Sequence, residues 1–254
     1  MVLRDSHPLE GATVLVTRPA GTGAAFARQA RLLGANAIAV PGLSLRAIDA
    51  RRPAAGFDAW IFTSPAAVRF GAAILPPRRQ RSTLEAFAVG DGTARALARH
   101  GITATIPDAR PDSEGLLSLA NLRRVRGRRI ALVGAPGGRD LIGPTLRRRG
   151  AHVESIHVYR REPPRLTRRH FDAIDAADDP LISLVSSGEA LAHLVAQLPP
   201  ALLERLRAQP LVVSSARLVG IACEHGFAQI VQARSAAPRD LLAAATAALG
   251  RHRL

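Results

Sequence analysis

One pattern recurs along this 254-residue chain: a short apolar run ends in small polar residues or glycine, a helical stretch follows, and a glycine stops it. Val14 to Thr17 runs into Arg18 and Pro19, the helical stretch Ala24 to Leu33 stops at Gly34, and Ala37 to Val40 runs into Pro41 and Gly42. Glycine past the last helical residue is a stop signal because it adopts the left-handed conformation without a Cβ clash. The same order returns with Ala59 to Thr63 before Ser64, Ala86 to Val89 before Gly90, and Ile130 to Val133 before Gly134. It returns again with Leu181 to Val185 before Ser186 and Ser187, and with Leu211 to Val213 before Ser214 and Ser215. Strands alternating with helices at this spacing predict parallel sheets covered on both faces, with ligands bound beyond the carboxyl ends of the strands. A single long strand is expected from His152 to Tyr159, and an arginine-rich loop after Pro77.

The halves of the chain echo each other. Thr63, Ser64 and Pro65 align with Ser186, Ser187 and Gly188, each a polar pair before a helix. Gly90, eleven residues before Gly101, matches Ser215, eleven before Gly226; Thr17 before Gly34 likewise matches Gly134 before Gly150. The expected fold is α/β: two similar doubly wound parallel-sheet domains joined by a two-stranded connector, with a ligand cleft between them.

Composition narrows the chemistry. All 35 basic residues are arginine, against 20 acidic residues. Without lysine, Schiff-base and PLP-type chemistry and a P-loop lysine are excluded. Guanidinium groups suit carboxylate or phosphate partners, but a base-composition bias accounts for most of this charge, so the arginine count identifies no partner. The one cysteine, Cys223, allows no internal disulfide, and no apolar run approaches the roughly 20 residues of a membrane span. A cytoplasmic protein with no membrane association is expected. Gly90-Asp91-Gly92 lacks the third glycine of a dinucleotide fingerprint, Gly137-Gly138 lacks a following Lys-Ser/Thr, and the eight histidines show no ligand spacing, so neither a nucleotide cofactor nor a metal is expected.

The strand-end residues carry a resemblance. Thr17-Arg18-Pro19, then Phe62-Thr63-Ser64-Pro65 with Ala67 and Val68, then Val89-Gly90-Asp91 with Thr93 and Ala94, then Ser113-Glu114 with Leu116 and Leu117, and Val158-Tyr159-Arg160-Arg161 occur in the order seen in uroporphyrinogen-III synthases. The chain resembles that family over nearly its whole length. The resemblance implies a discontinuous first domain, residues 1–42 plus 163–254, and a second domain, residues 45–160. It implies an enzyme, working as a monomer without cofactor, that cyclises hydroxymethylbilane, a small linear tetrapyrrole bearing eight carboxylates. Water is lost from the terminal hydroxymethyl group, and the last pyrrole ring is inverted through a spiro intermediate to give uroporphyrinogen III.

On that resemblance Tyr159, the only tyrosine, is the candidate general acid toward the departing hydroxyl; the competing reading is a tyrosine wedged in a hinge. Thr17, Arg18, Ser64, Gly90, Asp91, Thr93, Gly138, Ser187 and Ser215 are the candidate substrate-binding residues. For Ser64, Thr93 and Ser187 helix capping is an equally available role, and for Arg18 a surface ion pair. Two other functions remain open at this point: a non-catalytic two-lobed ligand-binding module, and a nucleic-acid-binding module. The latter lacks a continuous arginine face and aromatics to stack on bases.

Overall fold

The computed structural model describes residues 7–51, 53, 56–108, 110, 112–137 and 141–252. In chain order its elements begin with β1 (Thr13–Val16), α1 (Ala24–Leu32), β2 (Asn36–Ala39), β3 (Ser44–Ala47), β4 (Ala59–Phe62), α2 (Pro65–Phe70) and α3 (Arg78–Arg81). Next come β5 (Ala86–Ala88), α4 (Asp91–Ala98), β6 (Ala104–Thr105), α5 (Ser113–Ser118), α6 (Ala120–Arg123), β7 (Arg129–Gly134), α7 (Ile142–Arg148), β8 (His152–His157) and β9 (Tyr159–Glu162). The chain closes with α8 (Arg168–Asp175), β10 (Leu181–Val185), α9 (Gly188–Gln197), α10 (Pro200–Ala208), β11 (Leu211–Val213), α11 (Ala216–Glu224), β12 (Ile230–Gln232) and α12 (Pro238–His252).

The contacts divide the chain into two compact units, one running to Ser44 and resuming at Glu162, the other spanning Leu45–Arg161. The first holds a parallel five-stranded sheet in the order β12-β11-β10-β1-β2. Its strands are apolar at nearly every position because both faces are covered. Val14, Val16, Ile182 and Leu184 pack with Phe26 and Ala30 of α1 and Leu241 and Ala245 of α12. The alternate residues Leu15, Leu181, Val185 and Leu211 pack with Leu191 of α9, Leu206 of α10 and Leu218 of α11. Each such aliphatic side chain, taken fully out of water, contributes on the order of 1.5–3 kcal/mol.

The second unit repeats the plan with the order β6-β5-β4-β7-β8. Trp60, Phe62 and Val133 meet Val68 of α2 and Leu97 of α4 on one face; Ile61, Phe87 and Ile130 meet Leu116 of α5 and Leu146 of α7 on the other. The two sheet orders superimpose strand for strand: β10 stands where β4 does, β11 where β5 does, and β1 where β7 does. Those are the pairings of Ser187 with Ser64, Ser215 with Gly90, and Thr17 with Gly134 that the sequence repeat suggests. Gly34 and Gly150 close α1 and α7 at matching places with φ of 91° and 86°, a conformation that costs side-chain-bearing residues energy.

Three local expectations need correction. The stretch from His152 to Tyr159 is not one strand: β8 ends at His157 and β9 begins at Tyr159. Val158 lies between them, its N–H donating to Gly134 O (3.0 Å) on β7 while its carbonyl accepts from Ile48 N (3.0 Å). A residue bonded to two different neighbours in this way marks where the strand leaves one sheet for another, and β9 pairs with β3 in a separate two-stranded sheet. The arginine-rich stretch after Pro77 contains the short helix α3, which starts after that proline. Thr93 is no N-cap; Gly90 holds that position on α4, and Thr93 is buried in its first turn.

Candidate functional site

Within the second unit a cavity of about 530 Å³ opens over the carboxyl-terminal half of β7 and β8. Its polar wall begins with Ser64. That residue is extended (φ −163°, ψ 162°) and caps α2, its Oγ accepting from Ala67 N at 3.0 Å, while Pro65 fills the first helical position where no N–H is needed. The same Oγ lies 3.1 Å from the Tyr159 hydroxyl, and either group can donate. Tyr159 is 5% exposed, and its ring stacks on Phe70 with centroids 5.5 Å apart. The sheet change at Val158 therefore sets where the phenol points, and α2 holds both of its neighbours.

Gly134 floors this corner. A Cβ there would stand 2.6 Å from Thr63 Oγ1, which donates to Val133 O at 3.2 Å, so the residue is glycine for space. Register pairs Gly134 with His157 and Leu132 with Ser155. His157 and Ser155 follow the period of two that puts alternate residues on one face, and both line the cavity. Arg147 and Arg161 complete it; Arg161 donates to Pro136 O at 3.1 Å, and Arg147 to Val153 O at 3.2 Å. No Asp or Glu is among the described lining residues. A lining that holds, among its described residues, two guanidinium groups, an imidazole, a phenol and several hydroxyls, and no carboxylate, is suited to an anionic ligand that accepts hydrogen bonds.

Of the residues expected from sequence, Ser64 and Tyr159 line this cavity. Gly90, Asp91 and Thr93 lie at the start of α4 outside its lining, though the preceding Val89 belongs to it. Gly138 lies outside the described residues; its neighbour Gly137 is at the rim. Arg147, Ser155 and His157 are lining residues that the sequence did not single out. Arg147 sits inside an arginine triplet that looks like a solvated helix end, and only strand alternation pairs Ser155 with His157.

The other expected residues gather at the carboxyl ends of adjacent strands β1, β10 and β11 in the first unit. Thr17 is buried, and its hydroxyl donates to Leu184 O at 2.7 Å, stitching β1 to β10. Arg18 is half-buried, lies over the Phe26 ring at 5.3 Å and donates to Ala236 O. Burial pushes its pKa below the ordinary arginine value, and no carboxylate pairs with it among the described residues, which sets aside the surface ion pair. Ser187 caps α9, its Oγ 3.4 Å from Ala190 N, whereas Ser215 occupies the N-cap of α11 with its hydroxyl uncommitted.

Comparison with known proteins yields consistent relatives. The family model described as Uroporphyrinogen-III synthase HemD matches residues 24–243. A uroporphyrinogen-III synthase of Salmonella typhimurium is 32% identical over 249 residues, covering 91% of this chain and 99% of the relative, and that of Escherichia coli gives the same figures. Among solved structures, uroporphyrinogen-III synthetase from Helicobacter pylori shares the fold with a TM-score of 0.66 at 14% identity, covering 93% of this chain and 99% of that one. A mutant uroporphyrinogen III synthase from Thermus thermophilus does so with a TM-score of 0.56 at 21% identity, covering 94% and 99%.

Proposed function

The chain belongs to the uroporphyrinogen-III synthase family, and from that premise we propose that the Ser64–Tyr159 cavity holds the reacting end of hydroxymethylbilane while the macrocycle closes. The activity is the cyclisation of that linear tetrapyrrole to uroporphyrinogen III. The C–O bond of the terminal hydroxymethyl group breaks, and the oxygen takes a proton and leaves as water. The carbon left behind is a cation stabilised by its pyrrole. The last ring attacks through its substituted carbon, passes through a spiro intermediate and closes inverted, and a proton is then lost. The observation that carries the placement is the cavity itself: its one buried phenol, hydrogen-bonded to a serine, shares a wall with arginines and with no acid among the described residues.

In this reading Ser64 donates to Tyr159 Oη, which frees the phenolic O–H to protonate the departing hydroxyl. A phenol with an ordinary pKa of about 10 is a weak acid, so its contribution is modest beside that of holding the chain in a reactive fold. Substrate carboxylates are received by Arg161 and, in the first unit, by Arg18 together with the amino-terminal ends of α9 and α11 at Ser187 and Ser215. Gly90, Asp91 and Gly138 are proposed to contribute backbone N–H groups; Thr93, whose own N–H donates to Gly90 O at 3.0 Å, shapes that turn, and Thr17, its hydroxyl already donated, offers only its lone pairs. A monomer in the cytoplasm completes the proposal, supported by a lone cysteine that needs no oxidising compartment. Family membership displaces both the non-catalytic and the nucleic-acid-binding alternatives.

The test is to supply hydroxymethylbilane and separate the isomers. Spontaneous closure gives type I, so enzyme-dependent accumulation of type III is expected, and type I alone would refute the reading.

A further inference from the structure

Arg147, the penultimate residue of α7, lines the cavity and reaches across to the edge strand β8. One of its terminal nitrogens donates to Val153 O (3.2 Å) and touches Ser155 Oγ (3.4 Å). We propose that Arg147, with Ser155 and His157 beside it, is a carboxylate subsite that anchors one acidic side chain of the linear tetrapyrrole and thereby sets how deeply the chain enters the cavity. This rests on the functional reading above, and it assigns a binding role to residues outside the reacting corner.

Three observations support it. The anchoring bonds use one nitrogen of a group with five N–H donors on an exposed side chain, which leaves the other donors for a ligand. No carboxylate pairs with Arg147 among the described residues, whereas other arginines of this chain are neutralised internally: Arg128 by Glu85, Arg205 by Asp179 and Arg207 by Glu204. Glu154, the nearest acid in sequence, alternates with Ser155 and His157 along β8; it borders a neighbouring pocket together with Arg147 but forms no ion pair with it. Finally, Ser155 and His157 share one face of the strand about 7 Å apart, spacing that leads from the guanidinium toward Tyr159. Excess arginine on a surface is ordinary, and Arg147 is itself exposed, but its bond to a strand carbonyl at the border of the cavity that holds the phenol places it for a ligand.

The experiment compares Arg147→Gln, Arg147→Lys and wild type in two measurements: steady-state kinetics on hydroxymethylbilane, and binding of the non-reacting octacarboxylate uroporphyrin III. Losing one charge-assisted contact predicts about a tenfold rise in KM and a similar loss of probe affinity for the glutamine variant, with kcat within about twofold and the product still type III. The lysine variant, keeping charge without the fork, recovers part of both. Unchanged KM and probe affinity in Arg147→Gln overturn the subsite. Because Arg147 also ties α7 to β8, Ser155→Asp guards against misfolding: the new carboxylate pairs with Arg147 and holds it, so KM must rise with the fold intact, and an unchanged KM again overturns the proposal. Wild type that makes only type I removes the functional reading, while the probe arm still decides whether Arg147 binds a polycarboxylate.

Discussion

Ser64 and Tyr159 stand 95 residues apart in sequence and 3.1 Å apart at their hydroxyls. Since Ser64 Oγ already accepts the Ala67 amide, its own hydrogen is free to point at the phenol, and one serine both starts a helix and orients an acid. Replacing Tyr159 by Phe should lower kcat by about 10²-fold, the lower end of acid catalysis, with type III still the product. Full activity in that variant would make the tyrosine structural, a ring stacked on Phe70 and nothing more.

Ser64→Ala removes the cap and the partner together. It should cost about 1 kcal/mol of stability, read from a denaturation midpoint. Its effect on kcat should be smaller than that of Tyr159→Phe and should vanish in the Tyr159→Phe background, because the serine acts through the phenol. Additive losses in the double variant would show that Ser64 touches substrate on its own account.

Gly134→Ala should destabilise the second unit by about 1–3 kcal/mol, as overpacking does, because the new methyl group meets Thr63 Oγ1 at 2.6 Å. Adding Thr63→Ala removes the obstacle, and the double variant should recover much of the loss in a thermal melt. No recovery would mean that the glycine is needed for backbone shape.

A parallel contact governs the first unit. A Cβ on Gly42 would stand 2.5 Å from Ala190 Cβ, where the chain passes α9 on its way to β3. Gly42→Ala should also cost about 1–3 kcal/mol. Combining it with Ala190→Gly should relieve only part of the clash, since the residue 190 Cα at 3.0 Å and carbonyl oxygen at 3.1 Å remain, and glycine in a helix costs about 1 kcal/mol more. A neutral Gly42→Ala in chemical denaturation would contradict this packing.

Salt gives a test of the whole cavity. Raising ionic strength from about 0.05 M to about 0.5 M shortens the screening length severalfold. KM for the polycarboxylate should rise while kcat changes little, since the arginines that line the cavity attract substrate by charge but the proton transfer is local. A salt-independent KM would show that binding rests on neutral donors.

What the chain alone determined was the local grammar. Gly34 and Gly150 are legible as helix stops because a left-handed residue is a local requirement, and Val14 to Thr17 as a strand because apolar periodicity is read within a few residues. The repeat that couples Ser187 to Ser64 and Thr17 to Gly134 was visible for the same reason, and it anticipated two sheets of one design. The tertiary structure alone decided how the polar groups are spent. Thr17 gives its proton to Leu184 O and Arg18 leans on Phe26, whereas Arg147, one of three consecutive arginines, reaches into a cavity. The end of β8 at His157 was likewise hidden, because Val158 leaves the sheet only where Gly134 and Ile48 both bond it. Such outcomes depend on contacts between residues tens of positions apart, which sheet order creates and no local pattern encodes.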